Sequence, residues 1–138
     1  MNENRLRSKI VDIIQPFLED GSTILVHSYS RVVVQALLRA HEDKKRFNVY
    51  ITEARPFGLG LKTHAILSAA GVSCSVILDS AVAYILGKVD YVLVGSEAVC
   101  ESGALINFIG SYGLSVLAKA SHTPVYALAE SYKFTRLL

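Results

Sequence analysis

Proton transfer and anion binding are within reach of a few side chains, each standing just after a short apolar run. They are His27 and Ser28, then Thr52, Glu53 and Arg55, then Asp79 and Ser80, then Gly95, Ser96 and Glu97, and finally Glu130. Histidine, aspartate and glutamate move protons, and serine attacks once a base has taken its proton. Arginine, together with backbone amides after a glycine such as Gly95, holds an anion. Each residue also has a plain structural role. Asp79-Ser80 and the serines from Ser28 to Ser30 serve as helix caps. Glu53 and Arg55 form a loop ion pair worth about 0–1 kcal/mol when exposed. His27 reads as a core histidine and Glu97 as a local cap or ion-pair partner. A triad of Ser28, His27 and Asp79 fails on paper. Neighbours on an extended strand point to opposite faces, and no Gly-x-Ser-x-Gly elbow is present.

Other chemistries are excluded by missing patterns. No Gly-x-Gly-x-x-Gly follows the first apolar run, and no Gly-x-x-x-x-Gly-Lys-Ser/Thr occurs, which removes dinucleotide binding and P-loop hydrolysis. The histidines and cysteines show no metal-ligand spacing, and no cofactor is implied. His41, His64 and His122 read as surface residues, and Cys74 and Cys100 as reduced, buried thiols. The formal net charge is +2, with 14 basic and 12 acidic residues, which is no footprint for nucleic acid. The basic cluster Lys44-Lys45-Arg46 follows a helix-like segment and complements its carbonyl end. No apolar run is long enough to span a bilayer and the first residues hold no secretory signal, so a cytoplasmic protein without a membrane partner is expected.

The elements that must carry these residues alternate. Residues 4–19 put Leu6, Ile10, Ile13, Ile14, Phe17 and Leu18 on one helical face, with Pro16 kinking or shortening the helix and Gly21 ending it. Strand-length runs follow at 23–27, 47–52, 73–78, 91–94 and 124–129, separated by helical segments, one of them with Val33, Val34, Leu37 and Leu38 on its apolar side. A content of 51% hydrophobic and 19% charged residues supports a buried interior over disorder. Near-continuous apolar strands between helices predict an α/β, Rossmann-like domain over residues 1–138. Its sheet is mainly parallel, of about five or more strands, with helices on both faces. Strand order 3-2-1-4-5 opens a crevice between strands one and four and gathers the polar residues on its rim, Ser28 close to Glu97.

The strings His27-Ser-Tyr-Ser-Arg31, Val49-Tyr-Ile-Thr-Glu-Ala-Arg-Pro56, Leu78-Asp-Ser-Ala-Val-Ala-Tyr84, Val94-Gly-Ser-Glu-Ala98, Asn107 with Ile109-Gly110, and Ala129-Glu-Ser-Tyr-Lys-Phe134 occur in one order. Together they resemble the C-terminal domain of the alpha subunit of eukaryotic translation initiation factor 2B. That family is related to isomerases acting on methylthioribose-1-phosphate and ribose-1,5-bisphosphate. The resemblance implies a non-catalytic regulatory and assembly subunit of the factor that exchanges guanine nucleotide on initiation factor 2. Its implied partners are the other subunits of initiation factor 2B, initiation factor 2 itself and a second copy in a homodimer. A phosphosugar is an implied ligand.

In the related enzymes the resemblance places a Cys just after the strand-one His and an Asp opening the Asp-Ser motif. The matching positions here are Ser28 and Asp79. A thiol titrates near 8.5 and exchanges protons near neutrality, whereas a serine needs a dedicated base. Losing general acid–base catalysis typically removes about 10²–10⁴-fold in rate. Phe108 stands where the family usually has Lys after the Asn, and an aromatic ring cannot pair with a phosphate. Residues expected on a degenerate ligand site are thus His27, Ser28, Glu53, Arg55, Asp79, Gly95, Glu97 and Asn107. The resemblance also implies a helical N-terminal domain, which this chain starts too late to contain. Three functions follow as expectations: the assembly module, an isomerase using Asp79, or a sensor that holds a phosphosugar or nucleotide through Arg55 and the amides after Gly95.

Overall fold

In a computed structural model, residues 3–95, 111–129 and 133–136 are described. The elements alternate as α1 (Glu3–Ile14), β1 (Ser22–His27), α2 (Arg31–Glu42), β2 (Phe47–Thr52), α3 (Leu59–Ala69), β3 (Ser73–Ile77), α4 (Val82–Leu86), β4 (Tyr91–Gly95), α5 (Ser111–Ala120), β5 (Val125–Ala129) and β6 (Lys133–Arg136). Pro16, lacking an N–H, ends α1 in a single 3-10 turn over Gln15–Phe17. The cap of α2 is Ser30, extended at φ −137°, whose Oγ accepts from the Val33 amide at 3.4 Å.

One sheet holds six strands in the order β3-β2-β1-β4-β5-β6. The pairs from β3 through β5 are parallel, which fulfils the expected order, and β1 and β4 are neighbours at the switch point. The added strand is antiparallel: β6 pairs with β5 through Tyr126↔Arg136 to Ala129↔Lys133.

Strand alternation divides the core in two. Ile24 and Val26 of β1, with Val49, Ile51, Leu93 and Leu128, pack under α1, α2 and α3. Leu25, with Val92, Val94, Val125 and Ala127, packs under α4 and α5. On α1 the expected face is rotated: Ile10, Val11, Ile14 and Leu18 are buried, while Ile13 and Phe17 are exposed. Arg7 takes part of that buried face instead, its long aliphatic stem standing in for an apolar side chain. On α2 the fully buried residues are Val32, Val33, Val34, Ala36, Leu37 and Ala40, with Leu38 only partly buried.

Among the described residues the second face carries α5 and the five-residue α4, and β3 at the edge has no fully buried residue. Cys74 is accordingly half-buried rather than buried, although what burial it has still pushes its thiol above the usual range. Cys100 lies outside the described residues.

Candidate functional site

The carboxyl ends of β1, β2 and β3 are tied into one rim. His27 is the last residue of β1 and is 7% exposed; Ser28 follows at 4%. Ser28 has φ 63°, in the left-handed region that side chains with a Cβ rarely adopt. The opposite-face objection to pairing His27 with Ser28 therefore lapses, because the chain has left the extended conformation there. Its turn is fixed from two sides. The Ser28 amide donates to Thr52 Oγ1 at 3.1 Å, and Thr63 Oγ1 of α3 donates to the Ser28 carbonyl at 2.6 Å.

Ala54 makes the same excursion beyond β2, at φ 61°. Here the clamp is Asp79. One carboxylate oxygen accepts from the Ala54 amide at 2.9 Å, the other from the Arg55 amide at 2.8 Å. Asp79 does not cap its own helical turn, which has no side-chain cap bond. It reaches sideways and holds the β2–α3 loop. Gly60 completes the joint: a Cβ there would stand 1.8 Å from the Thr52 carbonyl oxygen, so only glycine lets α3 begin this close to β2.

Thr52 links the two strand ends electronically. Its Oγ1 lies 2.6 Å from His27 Nδ1 and accepts the Ser28 N–H. Among the described residues no other acceptor takes the Thr52 hydroxyl hydrogen, which therefore goes to Nδ1 and leaves the imidazole proton on Nε2. Burial lowers the proton affinity of His27 below that of an ordinary histidine, partly offset by the Asp79 charge. The ring is neutral near neutrality. Its Nε2 and the Ser28 Oγ are both buried without a partner among the described residues. A donor and a hydroxyl left open at a switch point can serve a ligand acceptor.

The ring does not act as a base toward Ser28 among the described contacts, since Nδ1 is engaged by Thr52 and Ser28 Oγ has no partner. Asp79 is committed to amides. Glu53 and Arg55 form the expected ion pair at 3.4 Å, with Arg55 73% exposed and Glu53 15%. Gly95 ends β4 in the same sheet. Glu97, Asn107, Phe108 and Glu130 lie outside the described residues. Residue type marks Thr52 only as a rim residue and assigns no role to Thr63 or Gly60. The pair Gly58 and Gly60 ahead of a helix was the available signal for a close approach.

The chain is 51% identical over 130 residues to translation initiation factor eIF2B subunit alpha of Dictyostelium discoideum, covering 94% of this chain and 40% of that protein. It is 39% identical over 127 residues to ribose 1,5-bisphosphate isomerase of Archaeoglobus fulgidus, covering 92% of this chain and 41% of the enzyme. The crystal structure of the Pyrococcus horikoshii OT3 translation initiation factor eIF-2B superposes with a TM-score of 0.84 at 30% identity, over 92% of this chain and 46% of that one. The chain thus spans less than half the length of these relatives. The model of the initiation factor 2 subunit family matches residues 1–138, and the chain belongs to that family.

Proposed function

We propose that this chain is the Rossmann-like part of a regulatory and assembly subunit of the initiation factor 2B complex. It acts through contacts with the other subunits, with initiation factor 2 and with a second copy of itself, and it does not turn over a sugar phosphate. The observation that carries the reading is the 51% identity to an initiation factor 2B alpha subunit. The rim supports the non-catalytic part. A serine occupies the position expected of the enzymes' cysteine, no described base touches its hydroxyl, and both Asp79 oxygens are used as backbone acceptors. Exposed Leu78, Tyr84 and Val116 supply apolar surface for association.

The test is co-purification of the tagged chain at physiological salt, with isomerase assays in parallel. Recovery of the initiation factor 2B subunits, with no turnover of ribose 1,5-bisphosphate, is the expected result. Recovery of the chain without them, or turnover that disappears in Asp79→Asn, would overturn the proposal.

A second reading is favoured by the unpartnered His27 Nε2 and Ser28 Oγ. The rim binds a phosphosugar without chemistry, Arg55 meeting the phosphate and occupancy biasing assembly. Thermal stabilisation by millimolar ribose 5-phosphate that is lost in Arg55→Ala supports it, and no shift removes it.

A further inference from the structure

At the other end of the sheet, where β2 and β3 begin, lies a cavity of about 440 Å³. His41, Lys44, Lys45 and Arg46 form one wall, over the strand starts Asn48 and Ser73, and none of the described residues lining it is acidic. Charge here is positioned by backbone geometry. Helix α2 ends with the Lys44 amide on the His41 carbonyl at 3.0 Å and the Lys45 amide on the Ala40 carbonyl at 3.1 Å. This double closure requires a left-handed residue, normally glycine, and the residue is Lys44 at φ 68°. Helix α3 closes in the same way and does use glycine, Gly71 at φ 92°. A lysine kept in a glycine's conformation at the mouth of a cavity is a strained position that points to a use for its side chain.

The wall is partly set and partly free. Lys45 Nζ is pinned by the Gln15 carbonyl at 2.5 Å, with its remaining hydrogens available. The His41 ring lies against Gly71, where an added Cβ would be 3.4 Å from Nε2. Among the described residues neither His41 nor Lys44 has a side-chain hydrogen bond or ion pair. Arg46 meets Asp20 at 3.4 Å, but its side chain is 89% exposed, so solvent screens the pair and the guanidinium is free to turn.

The carbonyl ends of α2 and α3 oppose an anion, each with about half a negative charge. The lysine, glycine and valine amides of the two closures already occupy those carbonyls. Lys44, Lys45 and Arg46 against Asp20 and the two helix ends leave about one positive charge, enough to favour a dianion over a monoanion. The volume falls in the range of about 300–1,000 Å³ usual for small-ligand pockets and exceeds the need of a bare oxyanion.

We propose that this cavity is an anion site, distinct from the His27–Ser28 rim, that takes a phosphomonoester on a small polar body. Lys44, Lys45 and Arg46 meet the phosphate, and Asn48 and Ser73 meet the body. The proposal is independent of the function assigned above.

The test is titration of the ¹⁵N-labelled chain at low salt with inorganic phosphate, ribose 5-phosphate and a phosphoserine tripeptide. The expected result is saturable shifts at residues 41–48 and 71–73, strongest for ribose 5-phosphate. Lys44→Gly, which suits the left-handed backbone, and Lys45→Gln should each weaken it by about tenfold, the factor that one lost charged contact of about 1.4 kcal/mol represents. Three results would overturn it. The first is no shift at these residues up to about 20 mM of any probe, a concentration that would detect even millimolar affinity. The second is shifts that survive both variants. The third is tighter binding of the tripeptide than of ribose 5-phosphate, which would make the site a reader of phosphorylated side chains instead.

Discussion

Asp79 holds two amides with two oxygens, and that pairing has a direct energetic signature. Asp79→Asn turns one acceptor into an NH₂ group facing an N–H, leaving a donor unmet at Ala54 or Arg55. The expected loss is about 1–3 kcal/mol of stability, read from urea denaturation. An unchanged midpoint would remove the clamp role. His27 makes a second prediction. Its folded proton affinity is lowered, so below its ordinary value of 6.5 the unfolded chain takes up a proton that the folded chain refuses. The stability it contributes is whole above that pH and falls as pH drops through and below it, at up to about 1.4 kcal/mol per pH unit. Denaturation curves between pH 7.5 and 5 should show that decline, and His27→Gln should flatten it. Little of this was readable from residue types. Ser28 and Ala54 carry no mark of a left-handed backbone, since glycine is the usual signal and neither is glycine. Asp79 before a helical turn reads as a cap, and only the neighbouring strand reveals the amides it serves.

Helix endings repeat a single device across the fold. Helices α2, α3 and α5 each close with two reversed amide bonds, those of α5 from His122 to the Lys119 carbonyl and from Thr123 to the Ala118 carbonyl. The left-handed residue is Lys44, Gly71 and His122 in turn. Lys44→Gly should therefore stabilise the chain by about 1 kcal/mol, the usual cost of a Cβ in that conformation, even as it weakens anion binding in the basic cavity. A rise in melting temperature together with a phosphate response weakened about tenfold would separate the two effects. A fall in melting temperature would contradict the strain. Gly60 is the opposite case. Its virtual Cβ overlaps the Thr52 carbonyl, which is backbone and cannot yield, so Gly60→Ala should cost about 3 kcal/mol or more and disorder the rim. Retained stability in that variant would mean that α3 can retreat from β2. Strand order was legible at this scale because parallel strands need right-handed crossovers, which leave few arrangements. The antiparallel β6 was not. Lys133-Phe-Thr-Arg136 is polar and short, as an edge strand often is, and has no apolar alternation to announce it.

At the scale of the whole molecule, the described residues cover the sheet unequally, and that bears on how the chain assembles. Among them three helices lie on one face of the sheet and α5 and the single-turned α4 on the other, with Ser75 of β3 exposed. The apolar surface left on that side is large for isolated residues: Tyr84 is 71% exposed, Leu78 61% and Val116 50%. Single exposed apolar side chains are ordinary, and Phe57 at 83% and Leu61 at 59% expose as much beside α3, so the Tyr84 side is one of two candidate faces for a protein contact. The expectation of a mainly parallel sheet with helices on both faces holds, with three helices on one face and two on the other among the described residues. Apolar runs in β2 and β3 do not distinguish burial under a helix from burial under a partner. Phe17, 53% exposed next to α1, provides a control on the well-covered face. The chain should sediment as a dimer. Leu78→Asp with Tyr84→Asp should shift it to a monomer without lowering the melting temperature by more than a few degrees, because neither side chain is in the core. Phe17→Asp should leave the dimer intact. If the control dissociates it and the pair does not, the association surface belongs to the α1 side.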